Sequence, residues 1–170
     1  WGPRLVTSGI WRPVILISWN DFRIKDCNIK YTFDSIAYIS ANTTIESSIK
    51  TPNANIIIKL NDSIVYNSQL NLVLGEKKRV SYFKINKPKL WWPNGMGEQY
   101  LYNFKVEIVN NNTKISANQK LGLRTIALEV KDSTHSPNFF FKVNGLPTFA
   151  KGVNYIPQDI FLPKITNKNY

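Results

Sequence analysis

The chain has 170 residues, of which 43% are hydrophobic and 13% aromatic, and this excludes intrinsic disorder as the default state. Its formal net charge is +11, but the basic residues are scattered and form no basic helix or Arg/Gly-rich run, which argues against a nucleic-acid partner. The longest apolar run, Val14–Ile17, is far shorter than the roughly 20 residues that cross a bilayer, so no membrane span is predicted.

The first part of the chain, residues 1–22, contains one apolar stretch, Ile10–Ile17, that follows Gly9 and is predicted to form a buried strand. From residue 23 to about 128, β-branched and aromatic residues alternate with polar ones, which predicts about seven strands. The alternation is clearest in Ile36–Ile45, Val80–Ile85 and Tyr102–Ile108. Turn signals stand between the runs at Thr51–Asn53, Asn61-Asp62, Gly75-Glu76, Pro93–Gly95 and Asn110–Asn112. Their spacing is typical of an all-β, immunoglobulin-like sandwich.

Beyond residue 129, two apolar runs flank Asn144-Gly145, a pair that predicts a two-residue hairpin because both central positions need positive φ. The final stretch, residues 152–170, contains prolines but is too apolar for a disordered tail. We expect it to be a loop that packs against a partner domain.

Residues with reactive side chains are few. Cys27 is the only cysteine, which excludes an intrachain disulfide, and its alternating context indicates a small core residue rather than a nucleophile. His135 is the only histidine, and no cluster of Cys, His or carboxylate residues has the spacing of metal ligands around it. We therefore predict neither a metal site nor a cofactor.

Three sequence strings resemble the beta-mannosidases of glycoside hydrolase family 2, and they stand in that family's order. Trp1–Val14 resembles the end of the family's sugar-binding jelly-roll domain. Leu90–Tyr102, which begins Leu-Trp-Trp-Pro-Asn-Gly, resembles a motif of its immunoglobulin-like domain. Gly122–Thr125, followed by Phe141–Pro147 and Lys151–Tyr155, is similar to the entrance of its catalytic barrel.

The resemblance implies three domains: the end of the jelly-roll at residues 1–22, a whole immunoglobulin-like sandwich at 23–128 and the start of a (β/α)8 catalytic barrel at 129–170. It also implies that the chain packs against the remaining jelly-roll and barrel, which lie outside these residues. Animal members of the family are lysosomal, so a lysosomal location is expected by resemblance, with secretion as the alternative. Three Asn-X-Ser/Thr sequons are no more than the composition gives by chance.

The implied substrate site lies near the end of the first barrel strand, where barrel enzymes carry their active sites. Asn154, Tyr155 and Asp159 fall where the family has Asn, Trp and Asp, and such groups hydrogen-bond to and stack on a sugar. Trp1 directly follows the position of a substrate-binding Asp in the family. Tyr155 departs from the family pattern, in which a Trp is expected, and this changes the expected shape of the pocket.

The implied activity is the retaining hydrolysis of terminal, non-reducing β-D-mannose residues in β-mannoside oligosaccharides. This chemistry needs two carboxyl groups about 5–5.5 Å apart. In the family both are glutamates on later barrel strands, one of them in an Asn-Glu pair, and this chain contains no Asn-Glu pair. Its own glutamates are expected to be surface charges of the sandwich, so the chain by itself is predicted to be inactive.

The motif residues also have structural interpretations. Trp91 and Trp92 can seal a domain junction ahead of a turn with Pro93 at position i+1, although indole faces also stack on sugar C–H groups. Arg124 has apolar neighbours, which predicts a bidentate contact with a carboxylate at a domain interface.

Two other classes of protein stay open. A non-catalytic carbohydrate-binding or adhesion module would explain an aromatic-rich sandwich, but it leaves the extension Phe139–Tyr155 without a role. A sister hydrolase of family 2, a beta-galactosidase or beta-glucuronidase, shares the architecture but generally lacks the full Trp-Trp-Pro-Asn-Gly-x-Gly-Glu-Gln string.

Overall fold

The structure is a computed structural model that describes residues 6, 8–10, 12–110, 113–131, 138–156 and 158–169. The chain divides into two compact units, residues 19–149 and residues 1–18 with 150–170. Over the described ranges the chain forms β-strands and two short 3-10 turns but no α-helix, and every strand pairing is antiparallel. The all-β prediction is confirmed. No helix in this part of the chain is long and apolar enough to cross a membrane.

Seven strands of the larger unit build two sheets. They are β1 (Phe22–Phe33), β2 (Ile36–Ser47), β3 (Thr51–Leu60), β4 (Ser63–Leu72), β5 (Gly75–Asn86), β6 (Tyr102–Val109) and β7 (Lys114–Leu121). One sheet has the order β1-β2-β5 and the other has the order β4-β3-β6-β7. Three further strands, β8 (Ile126–Lys131), β9 (Asn138–Val143) and β10 (Leu146–Thr148), form a third sheet in the order β10-β9-β8.

The hydrophobic core lies between the first two sheets because each strand turns every second side chain inward. In β2 the burial alternates along the whole strand, so that Ile39, Ala41 and Ile45 are buried. Ile56 and Phe104 meet them from the opposite sheet in one continuous cluster. Burying a side chain of this size contributes about 1.5–3 kcal/mol, so the two inner faces together hold the sandwich closed.

The strands predicted most clearly are confirmed, since they fall within β2, β5 and β6. The turn predicted at Asn61-Asp62 is also present, and both residues have positive φ. The prediction of a turn at Thr51–Asn53 is wrong. Those residues begin β3, where the register against β4 shifts between Thr51 and Ala54, and Asn53 takes positive φ inside this bulge. A bulge and a turn both favour Asn, which explains the error.

The buried strand predicted at Ile10–Ile17 is absent. The described residues of this stretch are in no strand, and Val14, Ile15 and Leu16 are exposed. An extended segment becomes a strand only when another strand pairs with its backbone, and no described strand pairs with this one. The domain boundaries proposed at residues 22 and 128 stay predictions.

The predicted hairpin at Asn144-Gly145 is confirmed. It joins β9 to β10, and Asn144 and Gly145 have φ values of 50° and 80°. Both values fit the type I′ turn that suits the twist of the two strands. β8 pairs with the other side of β9, so that this third sheet includes residues on both sides of the predicted boundary at residue 128.

Candidate functional site

The residues expected to meet substrate lie in the segment that follows β10. Asn154 and Tyr155 are exposed, Tyr155 to 55%. Asp159 is half-buried, and its Oδ1 accepts a hydrogen bond of 2.8 Å from the Phe161 backbone N–H, just before the 3-10 turn Leu162–Lys164. Asp159 therefore stabilises its own turn in this structure. Trp1 lies outside the described residues, so its predicted role stays a prediction.

The Trp-Trp-Pro-Asn-Gly motif forms a closed turn between β5 and β6. Trp91 pairs with Gln99 in an isolated antiparallel bridge, and the Trp92 N–H donates to the Glu98 carbonyl at 3.0 Å. The Met96 N–H donates to the Pro93 carbonyl at 3.0 Å, so Pro93 occupies position i of this turn rather than the predicted i+1. Gly95 at i+2 has a φ of 82°, a conformation that glycine adopts without strain.

The indole of Trp92 packs against the backbone of its own turn. A Cβ added to Gly97 would lie only 2.9 Å from two ring carbons of Trp92, so the ring covers this glycine directly. The Gln99 side-chain amide donates to the Gly97 carbonyl at 3.0 Å and to the Trp92 carbonyl at 3.2 Å. The Gly-Glu-Gln end of the motif therefore locks the Trp-Trp start of the same motif in place.

Trp91 joins this turn to the segment after β7. Its N–H donates to the Leu123 carbonyl at 2.8 Å, and its side chain lies against Gly122, where an added Cβ would meet it at 3.3 Å. The guanidinium of Arg124 lies 4.8 Å from the centre of the Trp91 ring, within cation–π range. Among the described residues Arg124 contacts an indole and forms no ion pair, so its predicted carboxylate partner does not come from this part of the chain.

Tyr31 fixes the same segment from the side of the sandwich. Its hydroxyl lies 3.1 Å from the Gly122 carbonyl and 3.2 Å from the Arg124 carbonyl, and it accepts from the Arg124 N–H at 3.3 Å. A tyrosine hydroxyl has one hydrogen, so it donates to one of the two carbonyls at a time.

Asn144 connects the hairpin of the third sheet to this point. Its side-chain amide donates to the Trp91 carbonyl at 3.0 Å, and its Oδ1 accepts from the Thr125 N–H at 2.9 Å. Its backbone N–H donates to the Thr125 carbonyl at 3.0 Å. The sequence indicated only a turn role for Asn144, because nothing in the local pattern shows which distant backbone an amide reaches.

Two of the three strings that carry the family resemblance thus meet in one place. We call the hydrogen-bonded contact among Trp91–Gln99, Gly122–Thr125 and Asn144 the junction. Both indoles are half-buried and engaged in packing, which favours the structural interpretation of Trp91 and Trp92 over sugar stacking. Thr148 in β10 adds a further contact, since its hydroxyl lies 3.5 Å from the sulfur of Met96.

Glu107 departs from the expectation that the glutamates are surface charges. It is only 1% exposed, on the outer face of the β4-β3-β6-β7 sheet, beneath three lysine side chains. Its carboxylate lies 2.9 Å from Lys59, 3.1 Å from Lys105 and 3.0 Å from Lys114. Burial alone would raise its pKa, but the hydrogen bonds from the three ammonium groups outweigh burial and hold the pKa at about 2.

The other titratable groups of the described residues give no catalytic arrangement. Cys27 is half-buried beside Thr43, and its pKa is raised chiefly by burial, so the thiol is held in its unreactive form. Within the described ranges, no group of three or more His, Cys, Asp or Glu side chains is placed to hold a metal ion. His135 lies outside those ranges.

The fold and the junction define a β-sandwich domain with a further small sheet fastened to it. The model of the glycosyl hydrolases family 2 matches residues 16–124, which contain all seven strands of the sandwich. The chain belongs to this family. The family resemblance stated from the sequence is confirmed.

Its relatives include beta-mannosidases. Beta-mannosidase B of Aspergillus flavus is 34% identical and that of Aspergillus oryzae 33%, each over 176 aligned residues that cover 100% of this chain and 20% of the relative. The crystal structure of the beta-D-mannosidase from Dictyoglomus thermophilum matches with a TM-score of 0.75 and 29% identity, covering 89% of this chain and 19% of that one. The chain therefore spans about a fifth of the length of these relatives.

A second solved structure shares the fold alone. The exo-chitosanase of Amycolatopsis orientalis matches with a TM-score of 0.68 at 17% identity, over 87% of this chain and 18% of that one.

Proposed function

We propose that this chain is the immunoglobulin-like scaffold, with flanking pieces, of a beta-mannosidase that hydrolyses terminal, non-reducing β-D-mannose residues by a retaining mechanism. The observation that carries the proposal is the junction. Two of the three strings that resemble the beta-mannosidases, distant in sequence, form one hydrogen-bonded contact through Trp91, Arg124 and Asn144. The full-length match of the chain to beta-mannosidase B supports the same substrate class.

The chemistry of this proposal belongs to residues outside the chain. A retaining glycosidase needs two carboxyl groups about 5–5.5 Å apart. Here four of the five glutamates are instead ion-paired with basic side chains. These pairs are Glu46 with Arg23, Glu76 with Lys25, Glu107 with its three lysines, and Glu129 with Lys142. Each of these four carboxylates is paired with a cation, which supports a scaffold role for this chain.

The third sheet supplies the surface for a further domain. One face of this sheet carries the side chains of Ile126, Leu128, Val130, Phe139, Phe141 and Leu146, all exposed. An exposed apolar face of this size marks a surface that another part of the protein covers. We propose that the catalytic barrel covers it, because the relatives are about five times longer than this chain.

The proposed substrate residues are consistent with a barrel domain that follows the third sheet. Asn154 and Tyr155 are exposed after β10, beyond the strands of the sandwich and third sheet. In this proposal they, Asp159 and Trp1 bind the mannoside in the full-length enzyme once the barrel completes the pocket. We also propose a lysosomal location, which rests on resemblance to animal members of the family alone. Cell fractionation tests it, and recovery of the protein in the medium would support secretion instead.

A second candidate is another glycosidase of the same family. The fold gives no preference among substrates, since an exo-chitosanase has the same fold at 17% identity. The third candidate is a carbohydrate-binding module without catalysis. The junction and the third sheet argue against it, because an isolated sandwich needs neither of them to fold or to bind a sugar.

The test compares the full-length protein with the 170-residue chain on a panel of 4-nitrophenyl glycosides: β-D-mannoside, β-D-galactoside, β-D-glucuronide and β-D-glucosaminide. We expect the full-length protein to prefer the mannoside in kcat/KM by at least about a hundredfold, because a site whose polar groups hydrogen-bond one sugar leaves some of them unpaired with another. We expect no turnover by the chain alone. Preference for another glycoside would support the second candidate, and turnover by the 170-residue chain would contradict the scaffold role.

A further inference from the structure

A shallow cavity of about 250 Å³ lies on the β1-β2-β5 sheet, away from the residues of the junction. Its lining includes Lys30, Thr32, Tyr38, Ser40 and Tyr82. The volume lies just under the roughly 300–1,000 Å³ of sites for drug-sized molecules, so it fits one small ring rather than an extended chain.

The strand register sets these side chains in two rows on the outer face of the sheet. Lys30, Ser40 and Tyr82 stand opposite one another across the three strands, and Thr32, Tyr38 and Lys84 form the next row. We call these six residues the tyrosine–lysine face. Tyr38 is 59% exposed and Tyr82 is 71% exposed, which is unusual for rings that bury large areas elsewhere in folded proteins.

The chemistry of the face is aromatic and cationic. The two tyrosines occupy diagonal positions, and both side chains are exposed to solvent. None of the six residues is acidic, and within the described ranges neither Lys30 nor Lys84 forms an ion pair. The Ser40 hydroxyl accepts a hydrogen bond of 3.4 Å from the Asn42 amide, which leaves its own hydrogen for a ligand.

We propose that the tyrosine–lysine face is a non-catalytic binding site for a saccharide ring that carries a negative charge, such as a uronic acid. Tyrosine rings stack on the C–H face of a pyranose, the serine and threonine hydroxyls donate to its oxygens, and the lysines pair with its carboxylate. The charge of the face selects an acidic ring over a neutral one. This site does not depend on the proposed beta-mannosidase activity, because it uses only residues of the sandwich.

The experiment is an NMR titration of the 15N-labelled 170-residue chain with three probes. Methyl β-D-glucuronide is the acidic ring, methyl β-D-mannoside the neutral ring, and sodium sulfate the free anion. We expect the glucuronide to shift the amide signals of Lys30, Tyr38, Ser40, Tyr82 and Lys84 with a millimolar Kd. The mannoside should bind at least about fivefold more weakly, because it has no carboxylate to pair with the two exposed lysines.

Matched variants separate stacking from charge. Tyr82→Ala should lose binding of the glucuronide, whereas Tyr82→Phe, which keeps the ring, should retain it. Lys30→Gln and Lys84→Gln should each weaken binding about twofold to fivefold. Lys78→Gln is the control, because Lys78 lies exposed on the same strand and face but opposite Thr44, two rows away from Tyr82.

The proposal is overturned by any of four results: no shift at these amides, equal affinity for the mannoside, the same shifts with sulfate, or full binding by Tyr82→Ala. None of these outcomes bears on the mannosidase assay, which measures hydrolysis by the full-length protein.

Discussion

The sandwich and the third sheet bury their apolar side chains in opposite ways. In the sandwich, the inner faces of β2, β3 and β6 are buried against each other, so the fold encloses its own core. In the third sheet, only Val143 is buried among the apolar residues of the corresponding face, and the rest are exposed. The same alternation of apolar and polar residues therefore gives a closed core in one region and an open apolar face in the other.

This difference separates what the chain stabilises by itself from what it offers to another domain. Two sheets that face each other satisfy the hydrophobic requirement within about 100 residues. A three-stranded sheet with one open face does not. Asn144 fastens it through hydrogen bonds to backbone groups of Trp91 and Thr125. We therefore expect substitutions of apolar residues to lower the free energy of unfolding more in the sandwich than in the third sheet.

The largest difference should come from truncating one phenylalanine in each region. Phe104→Ala removes a fully buried ring from the core and should lower the free energy of unfolding by about 3–5 kcal/mol. Phe139→Ala removes a ring that is 71% exposed and should cost less than about 1 kcal/mol in the 170-residue chain. Urea unfolding followed by tryptophan fluorescence measures both. Equal losses would remove the distinction between the two regions.

The next effect concerns Glu107. Its folded-state pKa of about 2 lies below its ordinary value of 4.5, so its ion pairs stabilise the fold above about pH 4.5 and are lost as the pH falls toward 2. Glu107→Gln should cost about 1–3 kcal/mol at pH 7 and flatten the fall in stability between pH 4.5 and pH 2.

Glu46→Gln is the matched control for this prediction. Glu46 pairs with Arg23 at 2.7 Å, but both side chains are 29% exposed, so the loss at pH 7 should stay below about 1 kcal/mol. Urea unfolding at a series of pH values measures both variants. An unchanged pH profile for Glu107→Gln would contradict the assigned role of the three lysines.

A substitution at the junction should lower the free energy of unfolding by an amount comparable to or somewhat smaller than that of Glu107→Gln. Gly97→Ala places a Cβ 2.9 Å from the Trp92 ring, so the turn must shift, at a cost of about 1–3 kcal/mol. Gly152→Ala is the control, since nothing lies within 4 Å of its added Cβ, and its effect should stay within about 0.5 kcal/mol. A Gly97→Ala variant as stable as the Gly152→Ala variant would show that the ring does not cover the turn.

The smallest effect should be local. Asn144→Ala removes the two side-chain hydrogen bonds to Trp91 and Thr125, worth about 1–2 kcal/mol together, and it also places alanine at a φ of 50°, which Asn and Asp tolerate better. Because those bonds fasten the hairpin, we expect faster amide hydrogen exchange in β9 and β10 and unchanged exchange in β2 and β6. Asn144→Asp, which keeps the acceptor for the Thr125 N–H and loses the donor to Trp91, should fall between the wild type and the alanine variant. Faster exchange throughout the sandwich would contradict this local role.

Much of the fold could be predicted because it depends on local patterns. Alternation marked β2, β5 and β6, and Asn144-Gly145 marked a hairpin, since in both cases the signal lies within a few residues. The prediction of a strand at Ile10–Ile17 was wrong for the opposite reason. Its apolar residues satisfy a strand pattern, but a strand also needs a pairing partner, and the pattern carries no information on that partner.

The contacts of the site depend on distant residues and were less predictable. The sequence predicted that Trp91 and Trp92 seal a domain junction and that Arg124 meets a carboxylate at a domain interface. Within the described residues Arg124 lies against the Trp91 ring, which the sequence did not indicate, and its carboxylate partner stays a prediction. Glu107 was expected on the surface. Its burial follows from lysines on three different strands that converge on it, whereas the alternation in β6 indicates only that it lies on the outer face of the sheet. The roles of Asn154, Tyr155, Asp159 and Trp1 stay predictions.

The most direct test of the central claim is hydrogen–deuterium exchange of the same segments in the 170-residue chain and in the full-length protein. We predict that the amides of β2, β3 and β6 are equally protected in both, because the sandwich closes its own core. We predict that β9 and β10 exchange quickly in the chain alone and become protected in the full-length protein, because the proposed barrel would cover the apolar face. Equal exchange of β9 and β10 in both proteins would contradict the claim that this sheet serves a further domain.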